Sequence, residues 1–169
     1  VNFQNNIAFR RVLALSEIQL YNKADLEIRN IYSLINKSDL KNLFFLSEKL
    51  NLAAALMRLG SKFSESDSNL YIRGLYPTPE WELKDALVVD KALLFALIRR
   101  ESAFNFRAKS SKGARGLMQL MPRTARITAK KNNYKYKRIY LTSKPSYNVK
   151  IGSIYFKEML DKYNGSYAL

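Results

Sequence analysis

The chain has no cysteine and no histidine. The first absence excludes disulfides and thiolate metal sites. The second removes the commonest metal ligand and any serine–histidine catalytic pairing. Neither absence fixes a compartment. Long apolar runs are missing too: the longest, Ala92 to Ile98, is seven residues, against the ~20 that a membrane-spanning helix needs. No signal peptide is visible, but the first residue is Val1 rather than Met, which makes that observation uninformative. At the other end Asn164-Gly165 reads as a helix C-cap and Ser166 as the next N-cap, followed by Tyr167-Ala-Leu169. The expectation is a piece excised from a longer protein.

Acidic residues are scarce in one half only. Residues 1–90 carry 11 basic and 11 acidic side chains, whereas 91–169 carry 18 basic and 3 acidic ones, Glu101, Glu158 and Asp161. The whole net charge of +15 therefore belongs to the second half. Such a surface suits polyanions, whether nucleic acid, anionic lipid or a charged cell-wall polymer. The asymmetry also predicts two modules with different duties.

Between Asp90 and Glu158 the single acid is Glu101, among seventeen Lys or Arg residues running from Lys91 to Lys157. A stretch that excludes acids but retains one is a candidate for using it. In a helix capped by Asp90, Glu101 falls +7, +4 and +3 from Leu94, Leu97 and Ile98, in line with an apolar face. Partial burial and the negative helix end would both favour the protonated form, which a general acid requires. The competing reading is a structural Glu hydrogen-bonded at a helix end.

Residues 1–75 read as short amphipathic helices. Ile7 to Leu20, Ala24 to Ile35, Leu40 to Leu50 and Leu52 to Leu59 each carry an apolar stripe with little more than a turn between them. Helices of this length pack as antiparallel hairpins, the arrangement of α-solenoids, although no clean repeat period is present. Tyr76-Pro-Thr-Pro79 breaks the pattern, which places a module boundary near Pro79, between 1–78 and 79–169. Then come a helix from Asp90 to Glu101, a glycine-bearing segment, a helix from Pro122, a basic loop over 130–137 and a helix from Asn148 to Tyr163. No strand alternation is convincing anywhere. The predicted fold is all-α: a helical-hairpin segment followed by a second helical domain.

After the Glu the sequence runs Glu101-Ser-Ala-Phe104, then Ser110, then Gly113-Ala-Arg-Gly116-Leu-Met-Gln119-Leu-Met121-Pro122-Arg-Thr124-Ala125. The glycines let the chain turn back over the end of the Glu helix, and Pro122 suits a first helical turn. An amide and two thioethers opposite a carboxylate suit a sugar groove. This pattern, from about Tyr76 to Leu169, resembles the catalytic domain of soluble lytic murein transglycosylases, whose signature is E-S-x-F followed by G-A-x-G-L-M-Q-L-M-P-x-T-A. The resemblance implies a lysozyme-like α-helical catalytic domain preceded by an α-solenoid.

Carried over position by position, the resemblance assigns Glu101 as catalytic acid/base and Ser110, Gln119 and Met121 as groove residues. Ser102 and Phe104 match positions that support the Glu. Asn148 and Gly152 match a structural N-x-x-x-G helix start. The implied reaction cleaves the β-1,4 bond between N-acetylmuramic acid and N-acetylglucosamine and closes a 1,6-anhydro ring, consuming no water, metal or cofactor. The implied partners are peptidoglycan glycan strands, with other cell-wall enzymes as a further class, and the implied location is the periplasm. The family's second signature, A-Y-N-A-G, lies beyond Leu169, so the fragment is expected to lack one wall of its groove and part of its activity.

Two other readings stand beside this one. A non-catalytic glycan-binding or scaffold protein would keep the fold without turnover, and a hydrolytic lysozyme-like muramidase would add water to the product. The aromatic-and-cation segment Lys130 to Arg138 is of a kind that binds nucleic acid, but that role is not favoured.

Overall fold

The computed structural model describes residues 7–32, 39–63, 67–80, 83 and 88–165. Among these the chain is helical, with two isolated β-bridges, Lys109 to Arg115 and Arg115 to Leu120, in place of any strand. It divides into two compact units, Val1–Trp81 and Glu82–Leu169. No helix among the described residues is long and apolar enough to cross a membrane.

The first unit contains α1 (Ile7–Glu17), α2 (Tyr21–Tyr32), α3 (Leu40–Lys49), α4 (Ala53–Gly60) and α5 (Ser68–Leu75). Sequential neighbours pack as pairs, α1 on α2, α3 on α4 and α4 on α5, with α2 also reaching α4. Their apolar stripes meet in one core built on Val12, Ile28, Ile31, Phe44, Leu52 and Leu59. Phe44 and Phe63 meet edge to face, with ring centroids 5.4 Å apart. Positions 33–35 of the expected second helix lie outside the described residues.

Two features of this unit depend on partners distant in sequence. Gly60 and Gly74 face each other where α4 crosses α5, so closely that a Cβ on either would overlap the other's backbone. The buried Asp25 of α2 accepts a hydrogen bond from the Ala55 N–H at 2.9 Å. This is a free amide in the first turn of α4, where a carboxylate also meets the positive end of the helix. Leu52, at the N-cap of α4, has no side chain able to do this. Asp25→Ala is therefore expected to cost about 1–3 kcal/mol, because it strands a buried donor. Thermal unfolding of the variant, set against a surface control such as Lys62→Ala, checks this.

The second unit contains α6 (Lys91–Ser102), α7 (Pro122–Lys131), α8 (Tyr140–Ser143) and α9 (Pro145–Lys162). Both α7 and α8 pack on α9. Asp90 caps α6 as expected, its Oδ1 accepting from the amides of Ala92 (2.9 Å) and Leu93 (3.0 Å). Pro122 opens α7, also as expected. The last helix starts three residues before the predicted Asn148, because Pro145 fits a first helical turn and needs no amide partner there. The four-residue α8 was not visible in the sequence, being too short to carry a periodic pattern. The expected cap at Ser166 lies outside the described residues.

Candidate active site

Glu101 occupies the last turn of α6. The helix buries Leu94, Phe95 and Ile98, while Leu97 is only half-buried. The core-facing stripe is thus rotated toward Phe95 relative to the expected Leu94–Leu97–Ile98 face, and Glu101 lies at its rim. The carboxylate is exposed. This corrects the expectation of partial burial. The physical reason is Phe104: its ring is buried and meets Phe95 at 6.1 Å, so the phenyl pair fills the space that a Leu97-centred face would have reserved. The structural alternative for Glu101 fares no better. Its carboxylate has no hydrogen bond or ion pair among the described residues.

The turn after Glu101 is sharply set. Ala103 (φ 48°) and Phe104 (φ 59°) are both left-handed, an uncommon conformation for residues with side chains. It ends the helix at once and swings Phe104 back beneath α6. Ser102 is half-buried, and its hydroxyl donates to the Ile98 carbonyl at 3.1 Å. Of the two residues expected to support the Glu, Ser102 thus bonds back to Ile98 and Phe104 packs on Phe95 of the same helix.

The segment that follows is a hydrogen-bonded loop. Ser110 opens a tight turn: its N–H donates to the Ala114 carbonyl and its Oγ accepts from the Ala114 N–H, both at 3.0 Å. Arg115 and Leu120 exchange two backbone bonds of 3.0 Å, closing a second turn around Gly116 to Gln119. Gln119 is half-buried with φ 42°, and its Nε2 donates to the Gly116 carbonyl at 2.8 Å. Met121, at the N-cap of α7, is 43% exposed, whereas Met118 is buried.

Asn148, fully buried on α9, fastens this loop. Its Oδ1 accepts from the Met118 N–H at 2.8 Å, and its Nδ2 donates to the carbonyls of Arg115 (2.9 Å) and Leu141 (3.0 Å). One amide side chain thus joins the loop, α8 and α9. Gly116 (φ 78°) is required at this junction, since a Cβ there would overlap both the Leu141 carbonyl and the Asn148 amide. One turn further along α9, a Cβ on Gly152 would overlap the Met118 side chain. Gly152→Ala is expected to destabilise the fold by about 1–3 kcal/mol through overpacking. Combining it with Met118→Ala, which vacates the space, is expected to cost less than the sum of the two single changes in chemical denaturation.

Ser110, Gln119 and Met121, expected to line a groove, therefore all belong to one loop that α9 holds in place. The structure draws no hydrogen bond between that loop and the Glu101 carboxylate among the described residues. Arg115 was not singled out from the sequence. Its Nε is buried without a hydrogen-bond partner, a feature that no spacing pattern could signal.

A family model described as the transglycosylase SLT domain matches residues 80–169, just over half of the chain. The chain belongs to this family. A curated soluble lytic murein transglycosylase of Haemophilus influenzae is 42% identical over 77 residues, covering 46% of this chain and 13% of that protein. Among solved structures, the 70 kDa soluble lytic transglycosylase of Escherichia coli is 23% identical with a TM-score of 0.76, over 98% of this chain and 27% of its own. An inactive variant of the lytic transglycosylase of Pseudomonas aeruginosa is 25% identical with a TM-score of 0.64, over 96% of this chain and 27% of its own. This SLT chain thus spans between 13% and 27% of the length of these relatives. The likeness to the Escherichia coli structure establishes the all-α, lysozyme-like fold.

Proposed function

We propose that this protein is a peptidoglycan lytic transglycosylase, with residues 79–169 forming the catalytic module and 1–78 belonging to an α-solenoid segment. The observation that carries this reading is the placement of Glu101. It is the lone acid between Asp90 and Glu158, it stands exposed on the last turn of α6, and it lies inside the stretch matched to the SLT family.

Two-carboxylate glycosidases place their acids within ~5–9.5 Å of each other across the scissile bond. From residue 91 onward the other two acids are otherwise engaged, Glu158 by Lys131 and Asp161 by Lys157, each at 3.0 Å, and the acids from Glu80 to Asp90 precede the helix that bears Glu101. A one-carboxylate reaction suits this composition. The Glu101 carboxylic acid gives its proton to the oxygen between N-acetylmuramic acid and N-acetylglucosamine as the C1–O bond breaks. The resulting carboxylate takes the proton of the muramoyl C6 hydroxyl, whose oxygen bonds to C1. The proton count on Glu101 is restored, and no water, metal or cofactor enters. Ser110, Gln119 and Met121 would contact the glycan, while Ser102 and Phe104 hold the turn that carries the acid. The reading places the protein in the periplasm, where its substrate lies.

Muropeptide mass spectrometry after incubation with purified murein tests this. Anhydromuramoyl products are expected. Products heavier by one water would replace the proposal with a hydrolytic muramidase, and bound but uncleaved murein would replace it with a glycan-binding role. Met121→Ala and Gln119→Ala are expected to weaken murein binding in pull-down assays. Their cost to stability should stay below the ~2–5 kcal/mol of a core Met→Ala change, since Met121 is 43% exposed and Gln119 half-buried. A larger loss on melting would assign either residue to packing instead.

A further inference from the structure

The segment from Arg123 to Lys144 holds eight Lys or Arg residues and no acid. All eight are exposed: Arg123, Arg126, Lys130, Lys131, Lys135, Lys137, Arg138 and Lys144. Within this set only Lys131 has a carboxylate partner among the described residues, Glu158. On α7, Ala125, Thr128 and Ala129 face inward, which leaves Arg123, Arg126, Ile127 and Lys130 along the outer side.

The cations sit on an ordered platform rather than a loose tail. The Tyr134 N–H donates to the Ala129 carbonyl at 2.8 Å, fastening the loop to the end of α7. The Tyr147 hydroxyl donates to the Lys135 carbonyl at 3.1 Å, and the Tyr147 and Tyr140 rings meet at 5.5 Å. Burial pushes the Tyr147 phenol up from 10.0, with the neighbouring Tyr136 and Tyr140 phenols adding to the effect. Lys144 and Lys137 lie over the Tyr140 ring, at 4.2 and 5.8 Å from its centroid. Like charges held this close repel one another, and an anionic partner would relieve the repulsion.

Two details select among polyanions. The tyrosines are half-buried, and Tyr134 and Tyr140 are already covered by lysines, so neither ring is an open platform for stacking nucleic-acid bases. Ile127 (58% exposed) and Ile139 (62% exposed) stand among the cations. A soluble polyanion gives an aliphatic side chain nothing to enter, whereas a lipid interface does.

We propose that the basic segment Arg123–Lys144 docks this protein on a membrane leaflet carrying anionic lipid headgroups, with the cations on the headgroups and Ile139 and Ile127 entering the interface. The binding does not require the reaction proposed above and uses none of its residues.

Co-sedimentation of the chain with vesicles of phosphatidylcholine alone, or mixed with phosphatidylglycerol, tests the proposal, with retention on heparin as the soluble-polyanion arm. Binding is expected only to the mixed vesicles at low salt, and it should be lost at high salt because exposed charges are screened. The combined change Lys135→Gln, Lys137→Gln and Arg138→Gln should lower the partition coefficient roughly 100-fold. Ile139→Ser should lower it several-fold and leave heparin retention unchanged. No binding to the mixed vesicles at low salt overturns the proposal. So does an Ile139→Ser variant that binds vesicles as the parent does, which would leave a general attraction to polyanions. If the triple variant fails to fold, the lipid and salt dependence of the parent and the behaviour of Ile139→Ser still decide the matter.

Discussion

Glu101→Gln is expected to lower the release of anhydromuropeptides by at least roughly 100-fold, the low end of what a general acid contributes. The amide keeps the volume and polarity of the side chain but cannot supply the proton. Because the carboxylate is exposed and has no partner among the described residues, the swap should leave the melting temperature within experimental error. That separation makes the experiment decisive. A variant that melts normally and still releases muropeptides would remove Glu101 from the reaction. A variant that unfolds would give the Glu a structural role that the geometry does not show.

The second large effect belongs to Asn148, which touches no substrate in the proposed reaction. Asn148→Ala would strand the Met118 N–H and the Leu141 carbonyl in a buried junction and leave the Arg115 carbonyl with the Leu120 amide as its donor. At about 1–3 kcal/mol for each of the two unsatisfied groups, the loss should reach at least ~2 kcal/mol. Asn148→Asp should be no milder, because a carboxylate cannot donate to either carbonyl and would face both oxygens directly. Chemical denaturation measures the cost. Activity well below the unfolding midpoint measures whether the loop bearing Gln119 and Met121 loses its shape before the fold is lost. Full activity with a stability change under ~1 kcal/mol would show that the loop is held by something else.

Several features could be read from the order of residues because they rest on local physics. Apolar spacing marks α1 to α4, the Asp90 cap marks the start of α6, and Pro122 marks the start of α7. Each depends on neighbours within a turn or two. The glycines of the loop were legible for the same reason, since Gly113 and Gly116 both adopt left-handed backbone. The lone acid was legible as a matter of composition.

The exposure of Glu101 was not legible. A stripe of apolar residues gives the direction of a helix face to within one position, and one position decides between core and rim. What settled it was Phe104, three residues beyond Glu101, turned back by two left-handed residues onto Phe95. The carboxylate that the spacing had placed under cover stands in solvent.

The sequence by itself determined the all-helical character, the charge asymmetry, the likeness to the SLT family and the identity of the candidate acid. These follow from residue type and short-range spacing, which the chain carries wherever it goes. Only the tertiary structure decided that Asp25 caps α4, that Gly60 and Gly74 form a crossing, and that Asn148 joins the loop, α8 and α9 through three hydrogen bonds. Each of these pairs groups from 7 to 33 positions apart. A buried polar group must find its partner wherever packing brings one, and the order of residues does not name that partner until the helices have met.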